Sequence, residues 1–305
     1  MKKIRLLITG GSGLLALNWA YSMRDKYLIT LGLNKRKINL TGVQILFLNL
    51  ESLDSLSRQI ETLQPEIVIH TAGLTSVEKC QFDPLLAKQL NVQLALNVAK
   101  VCALFKITFV HISTDHLYSG DTAFADESLV VRPVNMYGNT KAEAEIGVLE
   151  QNPDALIVRT NFFGWGTKYR QSFSDFIICN LRENRELELF DDVFYTPILV
   201  EVLAEAIHDL ITLKAMGIFN IVCGQRISKC NFGVMLAKVF DLDPALIKPM
   251  QLSKKSFLVK RPLDMSLNNK KAVNFLGRDL GTIEDYLFRL RHLEKNGMAM
   301  ELRNI

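Results

Sequence analysis

An α/β fold, built on a doubly wound parallel sheet with a smaller, mainly helical C-terminal lobe, is predicted by three features of the sequence. Short apolar runs alternate with amphipathic helical patterns through the first half, as in successive βαβ units. Runs such as Ile67-Val68-Ile69 lack polar alternation, as strands do when helices cover both faces of their sheet. A small-residue turn, Thr9-Gly-Gly-Ser-Gly-Leu-Leu-Ala16, follows the first apolar run at once. Together these specify a Rossmann-type arrangement.

In chain order, strands are expected over 4–9, 28–33, 45–48, 67–70, 108–113 and 156–160, with helices over 53–63 and 83–105 between them. The opening Met1-Lys2-Lys3 and its apolar run could pass for a secretory leader. Arg5 interrupts that run and the glycine turn follows, so a first strand is the better reading. Beyond Gly166 the pattern changes to a helix at 173–182, an extended stretch at 187–195 and a helix at 200–213. A buried strand at 217–222 precedes helices at 229–240, 244–247 and 282–294. Residues 1–165, with 198–224 returning to them, are therefore assigned to a dinucleotide-binding domain, and 166–197 with 225–305 to a substrate-binding lobe.

The 305 residues are 49% apolar and 22% charged, enough for a sizeable core and unlike a disordered chain. The net charge of +4 is scattered, and the basic groups at Lys35-Arg36-Lys37 and Lys254-Lys255 are short, so no nucleic-acid partner is expected. No apolar stretch is long enough to span a membrane. Five cysteines without a Cys-x-x-Cys pair suggest reduced thiols, a cytoplasmic location and no metal centre.

Gly10, Gly13 and Ala16 stand at the Gly-x-x-Gly-x-x-Gly/Ala spacing. The first allows a tight turn, the second lets backbone approach a pyrophosphate, and the third allows close packing of helix on sheet. Amides at the new helix's N-terminus, Leu14 among them, would bind phosphate. The end of the second strand reads Asn34-Lys35-Arg36, without the acid that holds a free ribose 2′-hydroxyl. Two cations there suit a 2′-phosphate, so NADPH is expected, with NADH as the alternative. Asn49 and Leu50 are placed against adenine, and Thr71-Ala72-Gly73 beneath the pyrophosphate and nicotinamide ribose. Asn91 either maintains a proton path behind Lys141 or bonds to backbone, and His70 is read as completing its strand rather than as catalytic.

Tyr137 and Lys141 are four apart and so share a helix face, where the ammonium would lower the phenol's pKa. Thr114, ending the fifth strand, would offer its hydroxyl to the same carbonyl oxygen. Thr114, Tyr137 and Lys141 are the candidate catalytic residues; Tyr137 and Lys141 are also assigned to the cofactor.

With these residues in view, the chain resembles the extended short-chain dehydrogenase/reductases, and among them the dTDP-4-dehydrorhamnose reductase family. The likeness runs nearly the full length, through Thr9-Gly10 to Ala16, Ser113-Thr-Asp115, Glu127, Pro133 to Lys141 with Glu145, Val158-Arg159-Thr160, Asp191 to Pro197 and Arg261-Pro262 ahead of Leu267. It implies the Thr114, Tyr137, Lys141 trio and a contact from Arg261 to a nucleotide-sugar. Thr75, His116 and Asn161 are further substrate-binding candidates. His116 stands where the family usually has Tyr, and Asn49 replaces an acid, which leaves the exact sugar open. The resemblance implies NADPH-dependent reduction of a keto group on a nucleotide-activated deoxysugar and admits a homodimer. Two alternatives stand beside it. One is a nucleotide-sugar epimerase or dehydratase, although dehydratases carry Glu where His116 lies. The other is a non-catalytic NADP-binding regulatory subunit, like the β subunit of methionine adenosyltransferase.

Overall fold

The computed structural model describes residues 3–255 and 259–305. Its centre is a seven-stranded, all-parallel sheet. In chain order the first six strands are β1 (Arg5–Thr9), β2 (Leu28–Leu33), β3 (Gln44–Phe47), β4 (Ile67–His70), β5 (Thr108–Ile112) and β6 (Leu156–Arg159). Spatially they run β3-β2-β1-β4-β5-β6, and the strand Gly217–Asn220 adds to β6 at the edge. The chain therefore winds outward in both directions from the boundary between β1 and β4, and the loops on either side part there.

Alternating side chains feed two apolar layers. Leu6, Ile8, Ile67, Ile69, Val110, Ile112, Leu156 and Val158 point to one core, while Leu7, Val68, Phe109 and Ile157 point to the other. Both faces are thus apolar, which is why the strands read as unbroken hydrophobic runs. The first core continues without a break into the segments beyond residue 165, through Trp165, Ile177, Phe232 and Tyr286. The second lies under the helices Leu53–Leu63, Leu94–Leu104 and Met136–Gln151.

The expected helix over 83–105 is a composite of Pro84–Lys88, a π-helical turn Gln89–Gln93 and Leu94–Leu104. Such turns displace a side chain from the regular face, and this one carries Asn91. The later segments contain more strand than expected. Three small pairs join Phe162–Phe163 to Ile198–Leu199, Phe194–Tyr195 to Ile227–Ser228, and Leu187–Phe190 to Ile247–Met250. Leu187–Phe190 and Phe194–Tyr195 fall within the extended stretch expected at 187–195, and the other strands are too short to announce themselves by periodicity. Among the described residues, no helix is long and apolar enough to cross a membrane.

Candidate active site

A cleft of about 1170 Å³ runs along the C-terminal ends of the central strands. It is lined by every sequence-predicted cofactor residue: Gly10, Gly13, Leu14, Asn34, Lys35, Arg36, Asn49, Leu50, Thr71, Ala72, Gly73, Asn91, Tyr137 and Lys141.

Gly10 turns with φ +69°, and a Cβ on it would lie 2.7 Å from the Ala72 amide nitrogen. The loops after β1 and β4 can meet only because that position carries no side chain. Gly13 then caps the helix Leu14–Met23 with extended backbone and no side-chain cap. The amides of the first turn are left for an anion, in the direction that the helix dipole favours. Lys35 and Arg36 are exposed at the cleft's far end, with no carboxylate beside them among the described ion pairs. This cradle fits a dinucleotide with a 2′-phosphate.

Some predicted residues are already engaged. Asn49 Oδ1 accepts from the amides of Glu51 and Ser52 at 3.1 and 3.3 Å, so its side chain shapes the turn. Asn91 Oδ1 accepts from Leu74 N at 2.6 Å, and its Nδ2 donates to Thr140 Oγ1 at 2.9 Å. Of its two expected roles the backbone bond is the one seen: Asn91 fastens the loop after β4 to the helix Met136–Gln151. His70, fully buried, pairs its Nδ1 with Thr9 Oγ1 at 2.8 Å. Burial pushes that imidazole down to about 3, so it stays neutral.

The helix Met136–Gln151 starts at Asn135, whose Oδ1 accepts from Gly138 N at 2.9 Å and whose Nδ2 donates to Lys260 O at 3.0 Å. That cap, worth about 1 kcal/mol in typical helices, fixes Tyr137 in the first turn and Lys141 one turn later. Gly138 lies against the His116 carbonyl, where a Cβ would clash. Hence the helix can press onto the loop that carries Thr114.

Tyr137 and Lys141 stand one helical turn apart, and the lysine's ammonium bonds at the end of β5. Its Nζ donates to Ile112 O at 2.7 Å and lies 3.2 Å from His111 Nε2. Burial depresses the ammonium to about 8. Tyr137 departs from the expectation. Burial drives its phenol up to about 12, the nearby Thr114 hydroxyl opposing the rise and the Asp115 carboxylate adding to it; that hydroxyl donates to Asp115 Oδ1 at 3.2 Å. Position i+4 predicted an ammonium acting on the phenol, whereas the lysine bonds to the Ile112 carbonyl at the end of β5.

The predicted substrate residues surround this pair without all lining the cleft. His116 stands edge-on to Tyr137 with ring centroids 5.5 Å apart. Its pKa is lowered, chiefly by burial. Asn161 Nδ2 donates to Asp115 Oδ2 at 2.5 Å. Thr75 accepts from Arg170 at 2.6 Å. Arg261 is ion-paired with Glu78, and its Nε is buried without a partner among the described residues.

Sequence reasoning missed Lys229. Its ammonium sits 3.2 Å from the centre of the Tyr195 ring, and burial lowers it to about 8 while Asp115 pulls the other way. A single lysine after a helix-capping serine carries no recognisable signal. Also missed were Tyr169 and Arg170, from a polar turn with no motif, and Phe173 at the start of the helix Phe173–Arg182, all on the cleft wall.

The family model described as the RmlD substrate binding domain matches residues 4–289. The chain is 28% identical over 254 residues to dTDP-4-keto-6-deoxy-D-glucose reductase of Streptomyces niveus, covering 81% of this chain and 82% of that protein. It is 25% identical over 253 residues to methionine adenosyltransferase 2 subunit beta of Mus musculus, covering 81% and 75%. Among solved structures, dTDP-4-dehydrorhamnose reductase from Bacillus anthracis in complex with NADP superimposes with a TM-score of 0.84 at 24% identity, covering 96% of this chain and 99% of that one.

Proposed function

We propose a function from the premise that the chain belongs to the RmlD substrate binding domain family, within the extended short-chain dehydrogenase/reductases: it is an NADPH-dependent reductase of a keto group on a nucleotide-activated deoxysugar. The observation that carries the reading is the meeting of a motif-bearing dinucleotide cradle with Tyr137 and Lys141 in one cleft, with Thr114 buried directly after the cleft-lining Ser113. The relatives from Streptomyces niveus and Bacillus anthracis, by the names they carry, support the same chemistry.

When bound, NADPH supplies hydride to the carbonyl carbon; everything else falls to the protein. The amides after Gly13 and the Lys35-Arg36 pair hold the phosphates. Tyr137, with its pKa raised to about 12, keeps its proton at neutral pH. That is the form a reductase needs, because the proton must be delivered to the oxygen that becomes an alkoxide. Thr114, whose hydroxyl donates to Asp115 Oδ1 at 3.2 Å before substrate arrives, turns to the same oxygen. Lys141, at about 8, remains mostly charged at pH 7 and favours both the anionic ligand and the developing negative charge. Residues 166–197 and 225–305, as the substrate lobe, supply His116's neighbours Lys229 and Arg261 to the sugar nucleotide.

The regulatory reading keeps one support, the likeness to methionine adenosyltransferase 2 subunit beta. Purified protein mixed with NADPH and a panel of keto-sugar nucleotides separates the two. Loss of NADPH absorbance that depends on the sugar nucleotide is expected, whereas stable NADPH binding without turnover on any member would favour the regulatory role.

A further inference from the structure

One segment of the cleft wall comes from outside the central strands. Residues 166–172 form a narrow-necked loop, and Asp175 holds both ends of it. Its Oδ2 accepts from Gly166 N and, at 3.2 Å, from Ser172 N. Inside the neck the loop closes on itself, Thr167 N donating to Arg170 O at 2.9 Å. Beyond that, among the described residues, the backbone of 168–171 makes no hydrogen bond to the rest of the protein. The tip is held only by side chains, and these reach opposite rims of the cleft. The Tyr169 hydroxyl donates to Ser12 O in the glycine turn at 2.9 Å. The Arg36 guanidinium lies over the Tyr169 ring, 3.7 Å from its centre. Arg170 Nη2 donates to Thr75 Oγ1, after β4, at 2.6 Å.

We propose that Tyr169 retains the dinucleotide and shares with Arg36 the discrimination for a 2′-phosphate. The inference rests on the NADPH reading above and adds a residue to it. A guanidinium stacked on a ring keeps its N–H donors in the plane, pointing past the ring edge. Stacking on Tyr169 therefore turns a mobile, exposed arginine into a fixed fork at the end of the cleft where the adenosine ribose belongs. The hydroxyl does a separate job. It latches the loop tip to Ser12, beside the amides assigned to the pyrophosphate, so a bound dinucleotide leaves only after the latch opens.

Two variants separate these tasks. Tyr169→Phe removes the latch and keeps the ring; Tyr169→Leu removes both. The probes are 2′-phospho-ADP-ribose and ADP-ribose, titrated by calorimetry, and the dissociation rate of NADPH, followed by stopped-flow fluorescence. Wild-type protein should prefer the phosphorylated probe. Tyr169→Phe should preserve that preference while NADPH leaves about two- to tenfold faster, the worth of one ordinary hydrogen bond. Tyr169→Leu should release NADPH faster and also lose about two- to fivefold of the preference, the worth of an exposed cation–π contact. Arg36→Ala should lose the preference too, and adding Tyr169→Leu to it should lose no more. An unchanged preference and an unchanged dissociation rate in Tyr169→Leu would overturn the proposal while leaving the cofactor reading intact. Failure of wild-type protein to bind either probe or NADPH would overturn the cofactor reading and this inference with it.

Discussion

Lys141 Nζ lies 3.2 Å from His111 Nε2 at the end of β5, where it also donates to Ile112 O at 2.7 Å. The imidazole is fully buried, and burial together with the neighbouring ammonium holds its pKa well below the usual value. A neutral ring can accept from the lysine without competing for charge. The lysine's own pKa is lowered to about 8 by burial, so this ammonium begins to lose its charge just above neutrality.

The first prediction follows from that value. Below pH 8 the ammonium is charged and favours the anionic dinucleotide; as pH rises through about 8 the charge is lost. NADPH affinity measured by fluorescence titration should weaken across that interval in the wild type. In Lys141→Met it should be weaker throughout and lack the inflection. A wild-type profile flat across this range would remove the lysine from cofactor binding.

Tyr137 lines the cofactor cleft, and its task in the reaction is to deliver the proton. Tyr137→Phe should lower turnover by about 10²–10⁴-fold, the usual worth of general acid catalysis. Its NADPH dissociation constant should stay close to that of the wild type. Turnover near normal would show that another group, His116 being the nearest ring, delivers the proton.

Arg261 has two claims on it, the substrate and Glu78. The pair is partly exposed, at 30% and 44% of the side chains, so its break should cost stability no more than about 1 kcal/mol. If the guanidinium serves the sugar nucleotide, Arg261→Ala should raise KM about tenfold, on the order of 1.4 kcal/mol. Glu78→Ala, which frees the arginine, should not raise it. Equal effects of the two variants on KM would make the ion pair itself the functional unit.

Arg159 and Glu145 form a buried pair. Arg159 Nη2 meets Glu145 Oε2 at 2.7 Å, with Nη1 donating to the Tyr118 hydroxyl at 2.7 Å and Ser113 bonded to the same carboxylate. Arg159→Leu leaves a buried carboxylate without its partner and should destabilise by about 3–5 kcal/mol. Urea unfolding measures this, and a loss below about 1 kcal/mol would show that water or a shifted side chain replaces the arginine.

The fold was legible because each strand's apolar run and each glycine of the first turn answers to a local rule. Strands over 28–33 and 67–70 and helices over 53–63 and 173–182 coincide with those observed. The glycine turn at the cleft was legible for the same reason, since Gly10 turns the chain and Gly13 caps the next helix where they stand in the sequence. The rest depends on contacts between distant residues. Lys141's turn toward Ile112, Arg261's capture by Glu78 and Tyr169's reach to Ser12 involve partners 29, 183 and 157 residues away. No spacing rule predicts them. The short strands 162–163 and 198–199 were hidden because two residues have no period, whereas 194–195 falls within the extended stretch expected at 187–195.

The central claim is that hydride passes from a nicotinamide in this cleft to the carbonyl carbon of a sugar nucleotide while Tyr137 supplies the proton. It is tested most directly with NADPH carrying deuterium in the transferable position, a dTDP-4-keto-6-deoxysugar and mass spectrometry of the product. A reduced sugar nucleotide with deuterium at the former carbonyl carbon, formed by the wild type and nearly absent with Tyr137→Phe, is the expected result. A sugar nucleotide recovered unreduced and unlabelled, with NADPH bound and intact, would contradict the account.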